Sequence, residues 1–245
     1  MKPKSETLFH FTKNMEILEN LLTHGFWPRF CLEDVHWLGY EEFDYISYPM
    51  VCFCDIPLSR ISEHVGFYGN FGLGMTKSWA EKNGLNPVFY VSRTSQVAKS
   101  FNRLNHHANQ IQNKIELEKA KINNRYLYAF TKPTEGEMVL DGQPVKKIFY
   151  QESEWRFVPQ NANPTYLLKA HHNKPDELDE ANTFTFDNCL LKFTPQDIRY
   201  IFVNSDTDIP RIMNFIQNSM DRYPAADLKI LMSRVVSLES LSQDL

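Results

Sequence analysis

Two glutamates, Glu152 and Glu154, are the residues of this chain whose type and spacing most directly suggest chemistry. They stand two positions apart in segment 150–158, where aromatic and charged residues are interleaved and the composition favours a strand. Successive side chains of a strand point to opposite faces, so the spacing predicts both carboxylates on one face. Two carboxylates there indicate either a solvated strand face, which Arg156 would share, or a site that stabilises a developing positive charge.

Two further segments carry residues that could complete a binding cleft. One is the strand-like motif Leu8-Phe-His-Phe-Thr12, and the other is the apolar run Pro49-Met-Val-Cys-Phe-Cys-Asp55, which leads into a helical pattern. Aromatic rings in the second segment could stack on a flat ligand ring. The candidate binding residues of the two segments and the helix are His10, Thr12, Cys52, Phe53, His64 and Tyr68.

In this order the motifs resemble the ADP-ribosyltransferase superfamily. There, a His-x-Thr or His-x-Ser strand, an aromatic strand leading into a helix, and a late strand with a catalytic Glu form an NAD cleft. The chain is more closely similar to the AbiGi family of abortive phage-resistance proteins, over about residues 8–158. That likeness also rests on Gly72-Leu-Gly74, Asn86-Pro-Val and Glu154-Trp-Arg156. Each motif is weak alone, whereas their combined order is fairly specific.

The two resemblances imply different functions. Similarity to the AbiGi family implies a role in phage defence, as the antitoxin of a pair with a nucleotidyltransferase-like toxin. Similarity to the transferases implies that NAD is a substrate, that His10 binds a ribose and that Thr12 anchors the nicotinamide pocket. It further implies that Glu154 stabilises the oxocarbenium-like state and that Glu152 orients or deprotonates the acceptor. Cys52 stands where the superfamily usually has Tyr or Ser, and this departure counts against NAD turnover more than against nucleotide binding.

The elements around these motifs predict a single α+β domain over residues 1–245. Its expected core is a mixed or antiparallel sheet of ADP-ribosyltransferase-like type with surrounding helices. Asn14 and Gly25 predict the start and the end of the first helix. A long polar pattern at 94–124 predicts an inserted helix or helical hairpin, and the Asn-, Pro- and charge-rich residues 159–188 predict a flexible loop.

Three more local predictions concern connections and the end of the chain. The aromatic residues 26–48 predict an irregular loop, long enough to favour a binding or lid role. Asp141-Gly142 predicts the turn of a hairpin. Residues 228–236 predict a final strand.

Composition excludes some classes of protein and places the chain in the cytoplasm. The balance of 26 basic against 30 acidic side chains gives −4, which argues weakly against broad nucleic-acid or anionic-membrane binding. No apolar run approaches the roughly 20 residues that cross a bilayer, and the N-terminus does not have the pattern of a signal peptide. Four scattered cysteines indicate a reducing compartment. The close pair Cys52 and Cys54 has only His64 as a further ligand nearby, so no metal site is expected.

Two functional hypotheses follow. The first is a phage-defence protein with an NAD-binding cleft that transfers ADP-ribose to a protein or nucleic-acid acceptor. The second is a non-enzymatic antitoxin that binds and neutralises a partner toxin, because aromatic residues such as those of 26–48 are favoured at interfaces. A plainer interpretation remains for each site residue, since a lone histidine on an apolar strand such as His10 is most often part of the core.

Overall fold

A computed structural model of the chain describes residues 5–39, 43–140 and 143–243. Short and long strands alternate with helices along this part of the sequence. The strands are β1 (Thr7–Thr12), β2 (Arg29–Asp34), β3 (Tyr45–Cys54), β4 (Phe71–Thr76), β5 (Asn86–Pro87), β6 (Phe89–Val91), β7 (Thr131–Pro133), β8 (Gly136–Leu140), β9 (Gln143–Lys147), β10 (Glu154–Phe157), β11 (Leu167–Leu168), β12 (Ile198–Val203) and β13 (Val235–Ser237).

The helices differ widely in length, and short 3₁₀ turns occur at several of the connections. The helices are α1 (Met15–His24), α2 (Ile61–Tyr68), α3 (Lys77–Lys82), α4 (Gln96–Asn109), α5 (Lys114–Ala129), α6 (Lys169–His172), α7 (Pro175–Asn188), α8 (Ile209–Ser219), α9 (Ala225–Met232) and α10 (Leu238–Leu241). The 3₁₀ turns are His36–Leu38, Leu58–Arg60, Phe149–Glu152, Pro195–Asp197 and Asp206–Asp208.

The chain forms two compact units, and each unit is discontinuous in sequence. Unit 1 comprises Met1–Trp27, Cys52–Leu85 and Leu190–Leu245, and unit 2 comprises Pro28–Val51 and Asn86–Cys189. Strand β3 contributes its last three residues to unit 1 and the rest to unit 2.

The sheet of unit 1 is mostly antiparallel. Its strands follow the order β13, β12, β4, β1, and the end of β3 joins β1 through the pair Phe9 and Cys54. Among the described strands of this sheet, only the β12 and β13 pair is parallel, while β4 runs antiparallel to both of its neighbours. This arrangement, together with the helices, confirms the α+β class and the largely antiparallel sheet; the ADP-ribosyltransferase-like type stays a prediction.

Alternation along β1 determines which of its residues reach the core of unit 1. Phe9 and Phe11 lie on one face and pack with Cys54, Ile56 and Phe202 in a buried cluster. Helix α2 contributes Ile61 to the same cluster, with Val65 and Tyr68 at its margin. The opposite face of β1 carries Leu8 and His10.

Two glycines in β4 allow its neighbours to approach closely. A Cβ atom on Gly72 would lie 2.5 Å from the His10 carbonyl oxygen, and one on Gly74 would lie 3.0 Å from the Tyr200 ring. These glycines pair with Phe11 and Phe9, respectively, in β1. The Gly-x-Gly spacing therefore serves strand packing.

Helix α1 begins and ends as its sequence predicts. The Asn14 side chain accepts a hydrogen bond from the Ile17 amide at 2.9 Å, which satisfies one of the amides left open by the first turn. Gly25 follows the helix with φ of 93°, a conformation that favours glycine, and its amide donates to Leu21 O.

Unit 2 contains hairpins and short strand pairs. Strands β2 and β3 form an antiparallel hairpin from the pair Arg29 and Met50 to the pair Asp34 and Tyr45. Strand β11 also pairs with β3, β10 pairs with β5, and β8 pairs with β9. Strands β6 and β7 are parallel, with α4 and α5 as the connection between them.

Several local predictions are corrected by these elements. The aromatic segment 26–48 is not an irregular loop, because it contains β2 and the start of β3. Residues 159–188, predicted to be flexible, contain β11, α6 and the 14-residue helix α7. Residues 228–236 lie mainly in α9, and the final strand is the three-residue β13.

The two remaining local predictions concern turns between paired elements. Residues 94–124 are predicted to form an inserted helix or a helical hairpin. The structure has two successive helices there, α4 and α5, which corresponds to the hairpin alternative. The predicted turn residues Asp141 and Gly142 lie outside the described part of the chain. The pair Leu140 and Gln143 that flanks them joins β8 to β9, as the hairpin prediction requires.

Candidate functional site

Elements of unit 2 bring three carboxylates and three cations together in the protein interior. The ions form a continuous chain of salt bridges, and their formal charges balance. The members of this ion network are Glu33 of β2, Lys132 of β7, Lys147 of β9, Glu152 of the 3₁₀ turn before β10, and Glu154 and Arg156 of β10.

Arg156 is the central cation of the ion network and is completely buried. Its Nε donates to Glu154 Oε1 at 2.7 Å, and its Nη2 donates to Glu33 Oε2 at 3.1 Å. The remaining terminal nitrogen, Nη1, donates to the Ala129 carbonyl oxygen at 2.6 Å. Burial of a guanidinium is tolerated when its donors are matched by acceptors in this way.

Lys132 connects the two candidate glutamates. Its Nζ lies 3.0 Å from Glu154 Oε2 and 3.6 Å from Glu152 Oε2, and 4.5 Å from the centre of the Phe149 ring. Burial by itself lowers the pKa of Lys132, but the carboxylates, Glu154 first, outweigh it and raise that pKa well above its usual value. Lys132 therefore stays charged. Lys147 holds the other oxygen of Glu152, at 2.5 Å.

The two glutamates do not lie on one strand face, which corrects the sequence prediction. Glu152 ends the 3₁₀ turn, and β10 begins only at Glu154. Ser153 between them has φ of 46°, in the left-handed region, so the extended strand conformation does not continue through it. Each glutamate is only 6% exposed, so the solvated-face interpretation is also wrong.

Tyr90 covers the backbone at the start of β10. The amide of Glu154 donates to Tyr90 Oη at 2.8 Å. Burial, and after it the Glu154 carboxylate, raises the pKa of Tyr90 well above its ordinary value, so its hydroxyl keeps its proton. The hydroxyl of a neutral tyrosine can donate one hydrogen bond while it accepts another from the Glu154 amide.

His10 lies in unit 1, on the face of β1 opposite Phe9 and Phe11. Its ring is half-buried against Phe26 and Phe53, with ring centres 5.1 Å and 5.5 Å away. Its Nδ1 lies 2.8 Å from the Cys52 carbonyl oxygen and is assigned as the donor, since a carbonyl can only accept. Burial lowers the pKa of His10, and the bond to Cys52 opposes this only in part, so the ring is neutral at pH 7.

Two other residues predicted to hold a nucleotide are engaged within the fold. Phe53 is 2% exposed and packs edge-on against Phe26 and Trp79, so its ring faces protein rather than solvent. Thr12 is also buried, and its hydroxyl donates to the Asn14 carbonyl oxygen at 3.3 Å in the turn before α1. Of this group, the structure therefore brings His10, Cys52 and Phe53 together.

His64 and Tyr68 lie elsewhere in unit 1. Their rings are 4.4 Å apart on α2, and His64 contacts Phe11 with ring centres 5.9 Å apart. Because Phe11 and His10 point to opposite faces of β1, the structure does not bring this pair to the His10 side. His10 and Thr12 belong to unit 1, whereas Glu152 and Glu154 belong to unit 2.

Side chains that could bind a metal ion are dispersed over the described ranges. Within them, no group of three or more His, Cys, Asp or Glu side chains is placed to hold a metal ion. The four cysteines, including Cys52 and Cys54, are thiols rather than disulfides. No helix in the part of the chain that the structure describes has the length and apolarity to cross a membrane.

Sequence reasoning missed the cations that neutralise the glutamates. Lys132 stands between Thr131 and Pro133, and Lys147 ends a polar hairpin strand, and neither setting has a distinctive pattern. The one usable signal was Arg156, two positions from Glu154. On a buried strand this spacing brings opposite charges together on one face.

Comparison with known proteins identifies the family. Residues 24–204 match a family model described as "Putative abortive phage resistance protein AbiGi, antitoxin". The chain is also 28% identical, over 252 aligned positions, to the abortive phage resistance protein AbiGi of Lactococcus lactis subsp. cremoris, with 90% of this chain and 99% of that protein covered. No solved structure matches the chain significantly. The matched region includes β2 to β12 and the whole ion network, and the chain belongs to the AbiGi family of abortive phage-resistance proteins.

Proposed function

We propose that this protein is the antitoxin of a phage-defence pair and that it neutralises its toxin by binding it directly. The observation that carries the proposal is the match of residues 24–204 to a family whose description includes the word antitoxin. The relative from Lactococcus lactis is named only as an abortive phage resistance protein, so the binding mode is inferred for this chain.

The ion network argues against a catalytic role for Glu154. Glu154 Oε1 accepts from Arg156, and its Oε2 lies 3.0 Å from Lys132 Nζ. A carboxylate that stabilises a ribosyl cation must approach the ribose and present its charge there. With both oxygens engaged by cations in a buried site, the charge of Glu154 is compensated before any ligand arrives.

ADP-ribosyl transfer from NAD is the second hypothesis, and one observation favours it. His10 is half-buried and neutral, and its Nε2 is the ring nitrogen left to accept a hydrogen bond, for example from a ribose hydroxyl. Glu154 would be the catalytic carboxylate and Glu152 the group that orients the acceptor. Among the other predicted NAD-binding residues, Cys52 and Phe53 lie next to His10. Thr12 would have to act from the turn before α1, and His64 and Tyr68 from helix α2.

The antitoxin proposal is tested by co-expression with the product of the adjacent gene. We expect that product to arrest growth alone, to be silenced by this protein, and to co-purify with it as a complex of defined stoichiometry. Silencing without any complex would contradict direct binding. Absence of both silencing and complex formation would contradict the antitoxin role itself.

The transferase hypothesis is best tested on the unaltered protein. Glu154→Gln is a poor probe, because it disturbs the ion network and lowers activity and stability together. The direct measurements are calorimetric titration with NAD, release of nicotinamide, and transfer of labelled ADP-ribose to the co-purified toxin. We expect no release and no transfer. Turnover of NAD by the wild-type protein, abolished by His10→Asn in a variant that remains folded, would establish the transferase instead.

A further inference from the structure

Unit 1 has a small open cavity on the face of its sheet that carries Phe9 and Phe11. Its volume is about 260 Å³, below the range of about 300–1,000 Å³ that is typical for drug-sized ligands, so it suits a single ring system. The apolar part of its lining consists of Phe9, Pro57, Leu58 and the Tyr200 ring, and its charged lining residues are Glu6 and Arg199.

A β-bulge in β12 directs two consecutive residues towards this cavity. Ile198 pairs with Met75, and the next pair is Tyr200 with Gly74, so Arg199 is an extra residue opposite a single step of β4. Neighbouring side chains of a regular strand point to opposite faces, whereas Arg199 and Tyr200 both line the cavity. Bulges often occur beside functional sites, where they redirect a side chain in this way.

The floor of the cavity is aromatic. The Tyr200 ring is half-buried, with its centre 6.4 Å from that of Phe9 and 5.7 Å from that of Phe202. Gly74 leaves room for this ring, because a Cβ atom there would lie 3.0 Å from it. An aromatic side chain held in this way can stack on the face of a flat ligand ring.

Two opposite charges at the cavity are available to a ligand. Glu6 and Arg199 are both exposed, and neither side chain forms a hydrogen bond or an ion pair with any residue of the described ranges. Glu6 directly precedes β1, and Arg199 lies in β12 on the other side of β4, so their backbones are separated by two strand spacings, about 10 Å. A ligand between them would therefore meet an acceptor on one side and donors on the other.

We infer that this cavity binds a guanine base, with Tyr200 against its face, Glu6 at its N–H edge and Arg199 at its O6 and N7 edge. A carboxylate only accepts hydrogen bonds, and guanine presents two adjacent donors, N1–H and N2–H, to its two oxygens. The arginine fork donates two hydrogen bonds to O6 and N7 of the same base. The inference goes beyond the antitoxin proposal and does not depend on it.

Other bases fit these groups less well. Adenine and cytosine offer one amino group beside a ring nitrogen that accepts, and the lone pair of that nitrogen would face the second oxygen of Glu6. Uracil places a carbonyl oxygen on each side of its ring N–H, and both would face the carboxylate. Among the described residues that line the cavity, Arg199 is the only cation, and the base already engages it. A phosphate should therefore stay in solvent, and the ligand class is a free guanine nucleoside or nucleotide.

The experiment is calorimetric titration of the purified full-length protein with nucleosides and nucleotides. Guanosine and guanosine monophosphate should bind with similar affinity, and adenosine and cytidine about tenfold more weakly or less. Glu6→Gln should weaken guanosine binding about tenfold and strengthen xanthosine binding, because the new amide can donate to the xanthine O2. Arg199→Lys should also weaken guanosine binding about tenfold, since an ammonium group lacks the fork that matches O6 and N7.

The matched control is Glu81→Gln, because Glu81 is another exposed glutamate of unit 1 but lies in α3, away from the lining of the cavity. It should leave the affinity unchanged, and all variants should melt like the wild type because the changed side chains are exposed. The inference is wrong if guanosine does not bind, if adenosine binds as tightly, or if Glu6→Gln has no larger effect than Glu81→Gln. Binding of inorganic phosphate or of a guanine-containing single-stranded RNA, without binding of guanosine, would also overturn it.

Discussion

At the level of single residues, the protein keeps several charges in its interior by placing each beside an opposite one. Arg156 is fully buried, and Glu152 and Glu154 are each 6% exposed. Desolvating such ions is unfavourable unless Coulomb attraction and hydrogen bonds compensate. The ion network supplies both, and Lys132 joins its two halves through Glu152 and Glu154.

Removing the central cation of the ion network should be strongly destabilising. Arg156→Ala leaves the buried Glu154 with Lys132 alone and removes the salt-bridge partner of the partly buried Glu33, and it should lower the free energy of unfolding by about 3–5 kcal/mol. Urea denaturation measures this change. The control is Lys119→Ala, which breaks an exposed pair with Glu116 at 2.9 Å and should change stability by no more than about 0.5 kcal/mol. Equal effects of the two substitutions would show that the network contributes no more than a surface pair.

His10 should make stability depend on pH. Its folded-state pKa lies below the unfolded value of about 6.5, so the unfolded chain takes up the proton first. The contribution of His10 is complete above that pH and is lost as the pH falls through 6.5 towards the folded pKa. Burial lowers the pKa of His172 as well, so a part of the pH dependence should remain without His10.

The measurement is urea denaturation between pH 5 and pH 8, with ring-proton NMR of the individual histidines. His10→Asn retains a side-chain donor for the Cys52 carbonyl and should flatten the stability curve below pH 6.5. An unchanged curve, or a His10 ring that titrates above 6.5 in the folded protein, would contradict the prediction.

At the level of secondary-structure elements, the glycines of β4 let three strands lie close together. Gly72 pairs with Phe11 of β1 and with Phe202 of β12, and the rings of Phe11 and Phe202 meet with centres 5.4 Å apart. A side chain on β4 would occupy the space that these rings and the backbone of β1 fill. The two glycines are therefore required by strand packing.

Gly72→Ala tests this explanation. Its Cβ would lie 2.5 Å from the His10 carbonyl oxygen, a backbone atom that cannot easily move, so we expect a loss of about 1–3 kcal/mol in the free energy of unfolding. Gly66→Ala is the matched control, because Gly66 lies in α2 with nothing within 4 Å of its Cβ position. That change should be neutral or stabilising by up to about 1 kcal/mol. The reverse order of the two effects would refute the packing role.

At the level of the whole molecule, each compact unit is assembled from segments far apart in sequence. Unit 1 needs its last segment, since β12 lies between β4 and β13 and contributes the buried residues Ile201, Phe202 and Val203. The family match ends at residue 204, but α8 adds Ile212 and Ile216 to the buried core beyond it. The folded unit therefore extends past the region that identifies the family.

A fragment of residues 1–204 should fail to fold cooperatively. It retains the whole family match but loses β13, which pairs with β12, and the buried isoleucines of α8. Circular dichroism during thermal unfolding distinguishes the outcomes, with the full-length chain as reference. A sharp transition for the fragment, close to that of the full-length chain, would show that the C-terminal elements are dispensable. Full-length Ile230→Ser is the control, because Ile230 is 52% exposed and should be tolerated.

Much of the local structure could be predicted from the sequence because its signals are local. Asn14 and Gly25 define the ends of α1 through their own hydrogen bonds and backbone angles. Strand β12 follows from a short apolar run, and helix α8 follows from an apolar pattern of period 3.6. Residues 159–188 were misjudged because polar composition hides α7, whose buried Ala181, Asn182 and Thr185 reveal its inward face only in the folded protein.

The sequence by itself determined the family, the α+β class and the capped helices, since ordered motifs, periodicity and cap residues are encoded within short stretches of chain. The tertiary structure alone decided the state of Glu152 and Glu154. Their partners Lys132 and Arg156 come from β7 and β10, and the left-handed Ser153 separates the two glutamates into different elements. The charge and accessibility of a carboxylate depend on what surrounds it in space, and no spacing along the chain specifies those neighbours.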